Sequence, residues 1–161
     1  MIKWKLPALI IVVLVVVAAL LYSRGFLTHP TADKCISGTL NHVYNPDRLE
    51  VLNSCQSVSG TVENVIQEAD GDVHIRLQVD QGYQNLLNQA NYDYQYATLV
   101  LEVVCVYPVT QADAVQACSE YSNAIALPSV NENISVLGQY VTDLDHGWNE
   151  IHPVYSIQQN P

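Results

Sequence analysis

The stretch SVSGTVENVIQEADGDVHIRLQVD, Ser57 to Asp80, decides the fold. Toward its end Val73, Ile75, Leu77 and Val79 alternate with Asp72, His74, Arg76, Gln78 and Asp80, and a period of two marks a strand with one buried face and one wet face. Ser57 to Gln67 is a further strand candidate, with Gly60 where a bulge or sharp bend fits. Asp70-Gly71 lies between them and signals a hairpin, because Gly readily takes the positive φ that tight turns require. The stretch predicts two antiparallel strands joined by a turn.

Working outward, TLVLEVVCVY from Thr98 is a nearly continuous apolar run, the pattern of a third strand buried on both faces. SVLGQYVTD from Ser135 is a fourth strand, and WNEIHPVYSI from Trp148 a fifth, with Pro153 marking an edge or an end. Two helical pieces interrupt them. QNLLNQAN from Gln84 can form about two turns at 3.6 residues each. VTQADAVQACSEYSN from Val109 has Thr110 as N-cap and Asp113 at the third helical position, a capping-box variant. The expected fold is therefore mainly β: a five-stranded OB-like barrel with a short helical insertion between strands three and four. A small β-sandwich is the alternative.

Six basic against sixteen acidic residues give a net charge of −10. Lys3 and Lys5 precede an apolar segment, so residues 23–161 carry four basic against sixteen acidic side chains, or −12. That balance argues against nucleic acid, whose affinity comes mainly from Lys and Arg displacing counterions. Leu6 to Ser23 carries no charge and as a helix reaches roughly 27 Å, enough to span a bilayer. Residues 1–24 are thus expected to be a transmembrane anchor, residues 25–34 a linker and residues 35–161 the ectodomain. A signal peptide cleaved near Val17-Ala18-Ala19 is the rival reading, against which Leu20 and Leu21 stand where polar residues are expected. Cys35, Cys55, Cys105 and Cys118 all follow the anchor and contain no C-x-x-C spacing, which suggests disulfides in an oxidising compartment. Pairing Cys35 with Cys55 and Cys105 with Cys118 closes the short local loops. The expected placement is the cell membrane, single-pass, with the N-terminus cytoplasmic and the C-terminal domain outside.

NHVYNPDRLEVLNSCQSVSGTV from Asn41, DGDVHIRLQVD, PVTQADAVQAC from Pro108 and DLDHGWNEIHPV from Asp143 together resemble a family of small exported or membrane-anchored OB-fold-like prokaryotic proteins, over about residues 35–157. HGWNEIHPV is its closing motif. The resemblance implies the barrel and the extracytoplasmic placement. The family brings no assigned reaction or ligand, so no catalytic residue carries over.

Chemistry-bearing side chains concentrate in DLDHGWNEIHPV. As a strand, Trp148, Glu150 and His152 share one face, with Asp143, Asp145 and His146 in the preceding turn. Two imidazoles and several carboxylates suit zinc or copper, so Asp143, Asp145, His146, Glu150 and His152 are a candidate metal set. The structural alternative has an Asp shaping the turn, Gly147 at positive φ and Trp148 filling the barrel. Asp70, Asp72 and His74 form a second acidic group that resembles the start of a calcium loop without the ligand series that completes one. Arg76, on the same strand face, is expected to make a surface ion pair. His42, Tyr44, Asp47 and Arg48 give no functional signal. Tyr83, Tyr92, Tyr94 and Tyr96, with Trp148, are candidates for an interaction surface. Asn133-Ile134-Ser135 is a sequon.

Nucleophilic catalysis lacks its motifs, since there is neither a G-x-S-x-G elbow nor a Gly-rich phosphate loop. The expected function is a membrane-tethered binding or interaction module, an accessory subunit that meets another envelope or membrane protein. A metal-binding or metal-dependent hydrolytic protein and an oligosaccharide-binding domain are the alternatives. An enzyme is the less supported reading.

Overall fold

The computed structural model describes Cys35, Leu40 and residues 42–160. The expected anchor and linker lie outside those residues. Among the described residues no helix is long and apolar enough to cross a membrane.

The chain is mainly β. Among the described residues five strands form one sheet: β1 (Leu49–Gln67), β2 (Val73–Val79), β3 (Leu99–Val103), β4 (Asn133–Asp143) and β5 (Asn149–Gln159). It closes in a ring in the order β1-β2-β3-β5-β4, with β4 returning to β1. Neighbours are antiparallel except β3 and β5, which run parallel at Val100↔Glu150 and Leu101↔Ile151. A single closed sheet excludes the sandwich, which needs two.

β1 makes closure possible. Its first part, from Leu49 to Thr61, pairs with β4, and its second, from Gly60 to Gln67, with β2. Gly60 belongs to both pairings, opposite Ile134 and Val79. A Cβ there would stand 2.2 Å from the Gln78 carbonyl oxygen, so the strand can cross at this point only where no side chain exists. Inside the ring Val58, Val62, Ile75, Leu77, Leu101 and Ile151 are fully buried, each contributing about 1.5–3 kcal/mol by leaving water.

Between β2 and β3 the expected two-turn helix is split. A 3-10 turn, Gln81–Leu86, sends Leu86 into the core, and α1 (Gln89–Tyr94) follows. The break comes at Asn88, whose side chain accepts from the Asn91 N–H while Asn91 accepts from the Asn88 N–H, a reciprocal cap that restarts the helix. The helix expected from Val109 is absent. Residues 111–120 are consecutive turns closed by bonds to the third residue back, such as Ala114 to Gln111 and Ala117 to Ala114. Thr110 caps nothing; its N–H and hydroxyl both donate to the Ala69 carbonyl. Asp113 instead accepts from the Tyr44 hydroxyl. Tied to the β1–β2 loop at one end and by the Cys105–Cys118 disulfide at the other, the segment cannot wind into regular α geometry. Cys35–Cys55 is the second disulfide, so both expected pairings are present.

Pro153 is neither an edge nor an end. It is buried within β5, in the stretch where pairing with β4 shifts register around Gly138, and that irregularity accommodates its missing N–H.

Candidate functional site

The alternation in β2 predicts a wet outer face, and the structure covers part of it. His74 lies directly opposite Glu102 of β3, and both are buried. Around them is a cleft of about 210 Å³ lined by residues of every strand and of the loops at this end of the ring. Glu68 comes from the β1–β2 loop, His74 and Arg76 from β2, Glu102 from β3, and Glu150 from β5. His146 and Trp148 come from the β4–β5 loop, Arg48 from the turn before β1, and Gln95 from the end of α1.

Hydrogen bonding fixes the protons. Arg76 Nε donates to Gln95 Oε1 at 2.9 Å; because Arg is donor-only, this sets the orientation of the Gln95 amide. His74 Nε2 faces the same oxygen at 3.3 Å, so it carries the proton and Nδ1 holds the lone pair. Nδ1 lies 2.8 Å from Glu102 Oε1. Burial, reinforced by Glu150 and Glu68, pushes the Glu102 carboxyl well above the ordinary range, while burial lowers the His74 imidazole. Both directions put the shared proton on Glu102, which donates it to a neutral imidazole. Glu102 Oε2 is left buried without a partner among the described residues.

Other acids crowd this pair. Asp72, in the β1–β2 loop, is raised to about 7 by burial despite accepting from the Cys105 N–H at 2.7 Å. Glu68 is raised by burial and by Asp70, and its Oε1 lies 3.8 Å from His74 Nδ1.

Of the sequence-predicted metal set, Asp143, His146 and Glu150 line this same cleft, but no three of its members bring ligand atoms within 4.8 Å of one another. Asp143 organises the β4–β5 loop: its Oδ1 accepts from the N–H groups of Asp145 and His146, and its Oδ2 from Arg48 Nε at 2.8 Å and His146 Nδ1 at 2.9 Å. Burial would raise this carboxyl, but the Arg48 and His146 bonds outweigh it and hold it below the usual range. Gly147 closes the loop at φ 84°, with its N–H donating to the Asp143 carbonyl. Glu150 is also engaged on both oxygens, by Trp148 Nε1 at 2.9 Å and His152 Nδ1 at 2.8 Å. Trp148, Glu150 and His152 do share one face of β5, and Trp148 stacks on His146 outside the ring instead of filling it. Asp145 is exposed.

Among the described residues, ligand atoms of three candidate residues approach within 4.8 Å in two groups, Glu68–His74–Glu102 and Asp72–Cys105–Cys118. In the second the sulfurs are spent in a disulfide. Tyr83 packs against the core, whereas Tyr92, Tyr94 and Tyr96 are exposed; Tyr96 carries the Arg76 guanidinium 4.7 Å above its ring. Asn133 is exposed at the start of β4.

Sequence reasoning overlooked Glu68, Gln95, Glu102 and the role of Arg48. Glu102 alone had a visible signal, a charge within a strand expected to be buried on both faces, where acids are rarely placed without a partner. No family model, curated protein or solved structure matches the chain.

Proposed function

We propose that the chain is an extracytoplasmic binding module built on an OB-type barrel, whose ligand seat is the cleft on the β2–β3 face. The strand order, the parallel β3–β5 contact and the long curved β1 support the OB assignment. In such barrels the face of strands two and three, between the loops joining strands one–two and four–five, receives the ligand. The observation that carries the reading is that the cleft sits on that face and between those loops, with Glu68 and Trp148 in its wall. Its acidic lining favours cationic or neutral polar ligands over polyanions. Two disulfides fit an oxidising compartment, which accords with a tether at the N-terminus and an accessory role beside an envelope protein. The exposed Tyr92, Tyr94 and Tyr96 offer that partner an aromatic surface. Membership in the prokaryotic OB-like family named above is part of the same proposal.

The test is a nuclear magnetic resonance titration of the full-length chain in detergent micelles with zinc, spermidine, chitotriose and a ten-nucleotide oligothymidylate. Shifts confined to amides of Glu68–His74, Leu99–Val103 and His146–Glu150 with a cation or the sugar, and none there with the oligonucleotide, are expected. Shifts only elsewhere, or oligonucleotide binding at the cleft, would overturn it.

A further inference from the structure

The cleft brings an imidazole and two carboxyl groups together and leaves one buried acceptor, Glu102 Oε2, without a partner among the described residues. His74 Nδ1 stands 2.8 Å from Glu102 Oε1 and 3.8 Å from Glu68 Oε1. Ligand atoms held about 2.0–2.1 Å from a tetrahedral zinc are roughly 3.3 Å apart, so movements of about 1 Å suffice. Glu68, whose side chain is 41% exposed, can close its own gap, while the His74 and Glu102 side chains, 8% exposed, have to part by only about 0.5 Å to reach the zinc-ligand spacing.

We propose that Glu68, His74 and Glu102 bind one divalent cation of the zinc class, with its remaining coordination position open to the cleft. This rests on the reading of the cleft as the ligand seat and names the ligand. An independent observation points the same way: Glu102 is 6% exposed, lines the cleft, and has no hydrogen-bond partner for Oε2 among the described residues. A buried carboxyl oxygen of that kind costs free energy until a donor or a cation meets it. The charge matches once an incoming cation displaces the proton that Glu102 shares with His74. Glu68, Glu102, Asp143 and Glu150 against Arg48 and Arg76 leave the lining at a formal −2.

The donor types select the ion. One imidazole nitrogen and two carboxylates suit zinc and its transition-metal neighbours, whereas calcium takes six to eight oxygens. Three protein ligands with a vacant fourth position are the arrangement of exchangeable zinc sites, structural ones being closed by four. Gln95, pinned by Arg76, supplies the support such ligands require: by accepting from His74 Nε2 it holds the imidazole with its Nδ1 lone pair facing the two acids.

Zinc titrated into the full-length chain in detergent micelles, followed by calorimetry and with cobalt as a visible-absorption stand-in, tests the proposal. One equivalent is expected to bind and to raise the thermal midpoint. Glu102→Gln, which keeps a donor to His74 and so preserves the fold, weakens zinc at least about 100-fold, as does His74→Ala. Asp145→Asn leaves affinity unchanged. Cobalt gives the absorption of a four- or five-coordinate ion in the parent and not in Glu102→Gln. Absence of zinc binding at millimolar concentration, or equal affinity in the parent and Glu102→Gln, overturns the site. If zinc is silent while spermidine or chitotriose still shifts the cleft amides, the cation assignment falls and the binding face stands. If no probe shifts them, both fall.

Discussion

Glu102 is the single charged residue in the run from Thr98 to Tyr107, and it faces His74 across two strands in a place that water hardly reaches. The pair is tolerated because one proton neutralises it, passing from an acid that burial has weakened to an imidazole that burial has kept neutral. Glu102→Gln should therefore fold normally, its amide N–H replacing the acid O–H toward Nδ1. Its thermal midpoint by circular dichroism at neutral pH should stay within about 5 °C of the parent, the equivalent of roughly 1 kcal/mol. Glu102→Leu strands the His74 lone pair and should cost about 1–3 kcal/mol. A large loss in the Gln variant would contradict the proton assignment. Asp143 is the opposite case, an ionised carboxylate with Arg48 and His146 as partners and two loop N–H groups as donors. Asp143→Ala leaves Arg48, 14% exposed, without its counter-charge and should lower unfolding free energy by about 3 kcal/mol in urea titrations.

At the scale of elements, the strands were legible and the helices were not. Period-two alternation and long apolar runs survive into the structure because β2 and β3 and the later part of β1 bury at least one face, so side-chain pattern and backbone agree there. The start of α1 depends instead on one long-range polar knot. Asn91, fully buried, donates to the carbonyls of Thr98 and Asn149 and accepts from the N–H groups of Asn88 and Asn149. No local pattern announces such a role, since three of those partnerships are made only once β3 and β5 are in place. Asn91→Ala frees these buried backbone groups together and should cost at least about 3 kcal/mol, with amide exchange accelerated first at Asn88 and Asn149. Unchanged exchange there would mean that α1 holds itself. The Val109 segment failed for a related reason: its capping pattern is genuine, but the β1–β2 loop takes the donors of Thr110 and Gln111. Thus the cleft residues from β2 and β5 could be singled out from sequence, whereas Glu68, Gln95 and Arg48 are brought to it by loops and turns whose courses are set by tertiary contacts.

Across the whole molecule, two local disulfides brace a ring whose wall is unusually acidic on one side. Cys105–Cys118, separated by 13 residues, should contribute about 3 kcal/mol by restricting the unfolded chain. The Cys105→Ser, Cys118→Ser double variant should lose that amount, with the turns from Gln111 to Glu120 becoming the first protease-sensitive segment. The acids set the response to pH. Asp72 has its pKa raised from 3.8 to about 7 by burial, with Asp70, Glu68 and His152 around it, so in that window the folded chain holds a proton that the unfolded chain has released. Stability therefore falls as pH rises through the window, and Glu102 acts with the same sign. Asp143 has a folded value below 3.8, and its contribution is present above that pH and lost as pH falls through the lower folded value. The metal-free chain should be more resistant to urea at about pH 5 than at pH 8. Higher resistance at pH 8 would contradict the buried protons.

The most direct measurement is anomalous diffraction at the zinc edge from crystals of the chain grown or soaked with zinc. A peak about 2.0–2.2 Å from His74 Nδ1, between Glu68 and Glu102, is predicted. A map with no peak in the cleft, or with density only beside Asp143 and His146, would contradict the account.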